Sequence, residues 1–360
     1  MTAVPRIDVA PLIDGCDVGQ VAANIDRACR EVGFFSIVNH GVDPALCLRL
    51  DALAREFFAR PVEEKQRVAM IHGGTAWRGW FPLHGELTSG TPDHKEGYYF
   101  GRELAPADPR VESGVPLHGP NLWPEEPHEL RSVLTEYLNA LESLGQHLTR
   151  AFSVALDLGP DTLQHGWFRD PVILLRLFRY PPAAADSPPK GVGEHTDYGF
   201  LTMLWQDRSG GLEVRTDQGW VEVPPDSNAF VCNIGDMLDR LTAGRYRSTA
   251  HRVRSPRTTI ASRFPSSSTP TGTRGLARCP SGARHPLMMP TAVGTARAFT
   301  PSKVPTASIS SARSRRCSRI SELQCWPRTR PTDQPSPASS VRLANTARRR
   351  SDGGRGRSAS

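Results

Sequence analysis

Three residues in this chain have the types and the spacing needed to hold a metal ion. In "GVGEHTDYGFLTML", His195 and Asp197 stand two apart at the entrance to a strand. Residues i and i+2 of an extended chain project from the same face, so an imidazole and a carboxylate can reach one ion together. A third ligand must come from another strand. His251, in "STAHRV", is the candidate, because two further hairpins would bring it alongside. Two histidines and one carboxylate on one side of an ion make a facial triad that suits non-haem Fe(II) and leaves positions open for other ligands. The tripeptide His-x-Asp is weak evidence on its own, since a surface histidine beside an aspartate is common.

The elements that must position these residues are legible around them. "VGQVAANIDRACREVG" places Val21, Ile25 and Ala28 at helical spacing, and "FFSIVNHGV" then reads as a buried strand closed by a turn at Asn39 and His40. A helix is expected from Pro44 to Phe58 and a short one from Pro61, where proline suits a first turn. The stretch from His72 to Leu122, rich in Gly, Pro and aromatics, reads as long loops with short strands, the kind of segment that carries binding surfaces. Between Glu126 and Leu156, apolar residues at intervals of three or four predict one long amphipathic helix. Short apolar runs follow in quick succession, "VILLRLFRY", "GFLTMLWQD", "GLEVR", "GWVEVPP" and "AFVCNIG", a rhythm that signals a sandwich or barrel. Asn233, Gly235 and Asp236 in "NIGDML" read as a tight turn aligning the strand of His251.

Charge divides the chain in two. Residues 1–251 carry 23 Lys+Arg and 34 Asp+Glu, net −11, whereas residues 252–360 carry 21 and 3, net +18, and together these restore the +7 of the whole. A nucleic-acid arm usually mixes Lys with Arg, but Lys303 is the only lysine among the 21 cations of the tail. With few large apolar residues the tail cannot offset its chain entropy, and disorder is expected there. The seven cysteines, Cys16, Cys29, Cys47, Cys232, Cys279, Cys317 and Cys325, are scattered and form no CxxC pair, which argues against a disulfide framework or a zinc ribbon. No signal-like or membrane-length apolar run is present, so a cytoplasmic location is the expectation.

From about Pro5 to Val253 the chain resembles the isopenicillin N synthase-like family of Fe(II)- and 2-oxoglutarate-dependent oxygenases. The likeness rests on "PRIDVAPL", "EVGFFSIVNHGV", "RGWFPLHGELTSGTPDHKEGYYFG", "LLRLFRYPP", "GEHTDYGFLTMLWQD", "GGLEVR", "WVEVPP" and "NIGDMLDRLTAGRYRSTAHRV", in family order and at family spacing. It implies an α+β, mainly β fold, a double-stranded β-helix (jelly-roll) core backed by helices, with His195, Asp197 and His251 as iron ligands. It also implies a 2-oxoglutarate site in which Tyr180 helps to hold the distal carboxylate, with an Arg and a Ser from an R-x-S sequence on the strand after the last histidine. A buried dicarboxylate needs a planar, permanently charged donor of that kind, or a carboxylate is left unpaired at a cost of several kcal/mol. Arg78, Trp80 and Phe81 could line the substrate pocket, although a loop clamp would explain them as well.

The likeness breaks about nine residues beyond His251, where the family has R-x-S followed by P-F-F and this chain reads "TTIASRFPSSSTP". Read one base earlier, the underlying codons can encode "D-R-F-S-L-P-F-F-F-D-P-D-W-D", with the new Arg arising across Ile260 and Ala261. Further on, "TASISSARSRRCSRIS" can become "G-E-Y-L-L-G-K-V-K-E-V-F-P-D-L", which looks like the family's closing helix. A one-base deletion, or its equivalent, between about Arg254 and Thr259 would explain both recoveries.

The expected organisation is therefore an N-terminal oxygenase region over 1–120, the long helix and β-helix core with the iron site but without its final strands over 121–255, and an out-of-frame, disordered tail over 256–360. The expected function is oxidation of a small molecule with Fe(II), 2-oxoglutarate and O2, releasing succinate and CO2, with an ethylene-forming variant of the chemistry among the options. Two other readings stay open: a frame-shifted chain that binds metal but is catalytically impaired, and an oxidase of the same fold that needs no 2-oxoglutarate. A monomer without nucleic-acid or membrane partners is expected.

Overall fold

The computed structural model of the chain describes residues 4–182 and 190–255, and the backbone of 261–269. The first third alternates helix and strand: β1 (Arg6–Asp8), α1 (Ala10–Ile13), α2 (Val18–Glu31), β2 (Phe34–Val38), α3 (Pro44–Ala59) and α4 (Val62–Gln66). Asp17 and Asp43 start α2 and α3 by accepting hydrogen bonds from the backbone N–H of Gln20 and Ala45, which satisfies donors that a first turn leaves open. Short strands β3 (Gly79–Phe81), β4 (Leu87–Thr88) and β5 (Thr91–Pro92) lead into β6 (Glu96–Gly101). After α5 (Pro109–Glu112) comes the long helix α6 (Leu130–Ala155), and then α7 (Thr162–His165). The remaining elements are β7 (Val172–Tyr180), β8 (Lys190–His195), β9 (Leu201–Gln206), β10 (Leu212–Thr216), β11 (Gly219–Glu222), β12 (Phe230–Ile234), α8 (Asp236–Leu241), β13 (His251–Arg254) and β14 (Ala261–Thr269).

The strands build a large sheet in the order β1-β2-β12-β9-β14-β7-β6-β3 and a smaller one in the order β11-β10-β13-β8. Side-chain alternation separates two cores. On the outer face of the large sheet, Leu175, Leu177, Met203, Trp205, Phe230 and Cys232 join Leu134, Tyr137, Leu141 and Leu148 of α6 in one apolar cluster. On the inner face, Phe34, Phe178, Tyr180 and Val231 meet Val192, Leu212, Val214 and Val253 of the small sheet. Each such side chain, moved from water to the interior, contributes about 1.5–3 kcal/mol. This is the jelly-roll core backed by helices that the motifs implied.

The expectation of missing final strands is corrected by β14. Its backbone lies between β7 and β9, with Ala261 opposite Tyr180, Arg263 opposite both Phe178 and Gln206, and Ser267 opposite Leu174 and Thr202. The physical reason is that β7 and β9 would otherwise present two facing rows of unpaired N–H and C=O groups, and any extended segment of suitable length satisfies them through its backbone. Side-chain composition alone misleads on this point. The other expectations for the tail, and those for Cys279, Cys317 and Cys325, lie outside the described residues. Cys16 is exposed, Cys29, Cys47 and Cys232 are buried, and all four are free thiols. Among the described residues no helix is long and apolar enough to cross a membrane.

Candidate metal centre

His195 ends β8 and His251 begins β13, and antiparallel pairing sets them directly opposite each other. Their ring centroids are 4.2 Å apart. Asp197 follows two residues after His195, and its Oδ1 lies 3.9 Å from each Nε2. One ligand atom from each of the three residues lies within 4.8 Å of the others. The far side of every ligand is tied down. His195 Nδ1 is 2.9 Å from the carbonyl of Gly193, and His251 Nδ1 is 3.2 Å from that of Thr249. An Nδ1–H that donates to a carbonyl leaves the Nε2 lone pair for the ion. Asp197 Oδ2 accepts from Thr202 Oγ1 at 2.6 Å and from Asn233 Nδ2 at 2.8 Å, so Oδ1 is the oxygen that faces the histidines.

The loop carrying Asp197 is braced by the "NIGD" segment. The N–H of Asp236 donates to the Asp197 carbonyl at 2.7 Å, and Asp236 Oδ1 accepts from Ser248 Oγ at 2.7 Å, just before His251. Glycine is required at 235, since a Cβ there would sit 2.2 Å from the Gly199 carbonyl oxygen. Asn233 itself does not belong to a turn. It lies in β12, buried and facing inward, where it orients a ligand; a polar residue in the apolar run "AFVCNIG" needs such a partner, and that was the available signal.

The electrostatics suit a cation. Burial, reinforced by the neighbouring His251, lowers the pKa of His195 to about 4, so its imidazole is neutral at pH 7 as a ligand must be. Burial alone would raise the pKa of Asp197, but His251, Arg176, His195 and the Asn233 hydrogen bond outweigh it and hold the carboxyl below its usual range. Two imidazoles and a carboxylate, with Cys232 turned to the outer core, form the nitrogen and oxygen donor set that fits ferrous iron.

Around the triad, the inner face of β6 and β7 carries Tyr99, Arg176, Phe178 and Tyr180, with Lys95 just before β6. Tyr180 is buried, with its ring centroid 6.2 Å from that of Phe178. Lys95 Nζ lies 2.8 Å from Asp93, 2.9 Å from Glu86 and 4.7 Å from the Phe178 ring centroid. Arg176 stands over the Tyr99 ring at 5.7 Å, and its charge reaches Asp197. Arg176 and Lys95 were not singled out from the sequence, although a charged residue within "VILLRLFRY" was a visible irregularity.

The proposed pocket residues divide between the two faces. Phe81 joins the inner cluster, with ring centroids 5.8 Å from Tyr99 and 6.3 Å from Phe178. Trp80 packs in the outer core and donates through Nε1 to Glu96 at 3.1 Å. Arg78, 2% exposed, donates to the carbonyls of Ala76 at 2.7 Å and Leu117 at 3.0 Å. The expectation that all three line one pocket is corrected: strand alternation sends 78 and 80 to the opposite face from 81, and the loop-clamp reading fits Arg78.

Comparison with known proteins agrees with this geometry. Residues 4–126 match the family described as non-haem dioxygenase in morphine synthesis N-terminal, and residues 170–266 match the 2OG-Fe(II) oxygenase superfamily. The chain is 41% identical over 255 residues to a Dictyostelium discoideum protein named "Probable iron/ascorbate oxidoreductase", covering 65% of this chain and 70% of that one. It is 35% identical over 285 residues to 1-aminocyclopropane-1-carboxylate oxidase of Dictyostelium mucoroides, covering 70% and 77%. The crystal structure of a full-length Neurospora crassa protein in complex with alpha-KG superposes with a TM-score of 0.64 at 27% identity, over 74% of this chain and 85% of that one. The chain thus belongs to the 2OG-Fe(II) oxygenase superfamily, whose iron and 2-oxoglutarate it takes as cofactor and cosubstrate.

Proposed function

We propose that His195, Asp197 and His251 hold the ferrous ion, that Tyr180 helps to seat 2-oxoglutarate, and that the chain oxidises a small molecule with release of succinate and CO2. The observation that carries this reading is the convergence of three ligand atoms within 4.8 Å, each backed by a hydrogen bond on its far side. Bound iron supplies activation of dioxygen. The protein's own part is to keep the His195 imidazole neutral, to fix Asp197 Oδ1 towards both histidines, and to pack the aromatic rings of Phe34, Phe81 and Phe178 around the inner face. Purified protein given ferrous iron and 2-oxoglutarate should release succinate, and Asp197→Ala should abolish that release. Succinate release from the Asp197→Ala protein equal to that from the parent would end the assignment of these ligands.

The ethylene-forming variant of this chemistry has support from the likeness to 1-aminocyclopropane-1-carboxylate oxidase. Headspace ethylene measured with 1-aminocyclopropane-1-carboxylate as substrate tests it directly. The impaired-enzyme reading is favoured by two features of β14. Ala261, where the shifted frame restores an arginine, stands opposite Tyr180. Pro265 sits in a strand paired on both sides, where it removes one ladder hydrogen bond. On this reading the chain binds metal and turns over 2-oxoglutarate slowly.

A further inference from the structure

The hairpin of β4 and β5 reaches from β6 of the large sheet to β8, the end strand of the small sheet. An end strand leaves one row of N–H and C=O groups without a strand partner. On β8 the hairpin segment takes two of these groups. Ser89 Oγ donates to the Glu194 carbonyl at 3.2 Å, and the His94 N–H donates to the Gly191 carbonyl at 2.8 Å. Between them Thr88 lies against Gly193, where a Cβ would sit 3.2 Å from the threonine Cγ2. Gly193 is the residue whose carbonyl lies against His195 Nδ1. The other two ligands are supported differently: His251 belongs to a strand paired on both sides, and Asp197 accepts from Thr202 and Asn233. Of the three ligands, His195 is the one that hangs from a sheet edge covered by the hairpin.

Both feet of this hairpin are fastened by one ammonium. Lys95, buried just before β6, places Nζ 2.9 Å from Glu86, which precedes β4, and 2.8 Å from Asp93, which follows β5. The Asp93 N–H donates to the Glu86 carbonyl at 2.9 Å and closes the base of the hairpin. Thr88 Oγ1 donates to Asp93 Oδ2 at 2.8 Å, and the Tyr99 hydroxyl of β6 donates to Glu86 Oε1. The ammonium lies 4.7 Å from the Phe178 ring centroid, in apolar surroundings. Without it, two carboxylates would face each other with little water to screen them, which drives the feet apart. We infer that Lys95 is a positioning residue for the metal centre: by clamping Glu86 and Asp93 it holds the hairpin against β8, and so keeps the Gly193 carbonyl where it orients His195. The inference rests on the metal reading above.

The test is calorimetric titration of the metal-free full-length chain with Mn(II), with the visible spectrum of the Co(II) form as a report of ligand geometry. The charge of Lys95 reaches His195, so a role through charge alone predicts that its removal tightens cation binding. A positioning role predicts the reverse. Lys95→Met should weaken Mn(II) binding by about tenfold or more and alter the Co(II) spectrum. Thr88→Gly with Ser89→Ala, which changes no charge and touches only the hairpin, should weaken binding in the same direction. Combined with Lys95→Met, it should give less than the product of the separate losses, because both act through one contact. Arg78→Ala, destabilising but remote from the hairpin, serves as the control and should leave Mn(II) affinity unchanged. Unchanged or tighter Mn(II) binding in folded Lys95→Met overturns the inference, as does an equal loss in Arg78→Ala. Should Lys95→Met fail to fold, the Thr88→Gly, Ser89→Ala chain decides, and unaltered affinity there is equally fatal. Failure of the unaltered chain to bind Mn(II) would overturn the metal reading and this inference with it, an outcome distinct from a change confined to the variants.

Discussion

His195 and His251 face each other across β8 and β13, each with its Nδ1 against the carbonyl two residues earlier in its own chain segment, Gly193 and Thr249. Strand pairing thus sets both the separation of the rings and which nitrogen of each is turned towards the ion. The stability of this arrangement should carry the signature of an uncharged His195.

That signature lies in the acid range. The unfolded chain protonates His195 near the ordinary value of 6.5, the folded chain only near 4. Between those values the unfolded state binds more protons, so stability falls as pH drops through this window. His40, also lowered by burial, acts with the same sign, whereas the depressed carboxyl of Asp197 keeps its charge there and loses its contribution only at lower pH. Urea denaturation of metal-free protein should show a loss on the order of 1–3 kcal/mol from about pH 7 to 4.5, and His195→Gln should flatten the curve. A profile without slope over that range contradicts the buried, neutral imidazole.

Thr202 and Asn233 fix one oxygen of Asp197 so that the other serves the ion. Thr202→Val and Asn233→Ala should each lower metal affinity by roughly 10–100-fold while the fold persists. Competition with a calibrated chelator measures this; wild-type affinity in the double variant would mean that Asp197 needs no such support.

Arg78 should prove structural. Removing its buried side chain takes from the carbonyls of Ala76 and Leu117 the donor that ties the two loops together. Arg78→Ala is expected to cost about 2–4 kcal/mol of stability with metal affinity unchanged. Denaturation and metal titration on the same sample separate the two effects, and a stable variant with altered ligand binding would return Arg78 to the pocket.

Restoring the shifted frame beyond about residue 254 should raise 2-oxoglutarate decarboxylation sharply. For the chain as it stands we expect turnover below roughly 1 per second, the low end for enzymes. Succinate measured over time for both versions decides it, and equal rates would show that β14 serves as it is.

Periodicity and turn residues by themselves determined much of this molecule. The 3.6-residue stripe of α6, the run of short strands and the two-residue spacing of His195 and Asp197 are local patterns, imposed by backbone geometry alone. His251 could be found because successive hairpins bring a distant strand alongside in a countable way. The roles of Thr202 and Asn233, and the nearness of Arg176 to Asp197, were decided only by tertiary structure, because each depends on the register between strands far apart in the chain. So was the division of Arg78 and Trp80 from Phe81, since alternation assigns faces but only packing decides which face is the barrel. Finally, β14 takes its place through backbone groups that every residue but proline shares, and side-chain chemistry carries no record of a vacant slot between two strands.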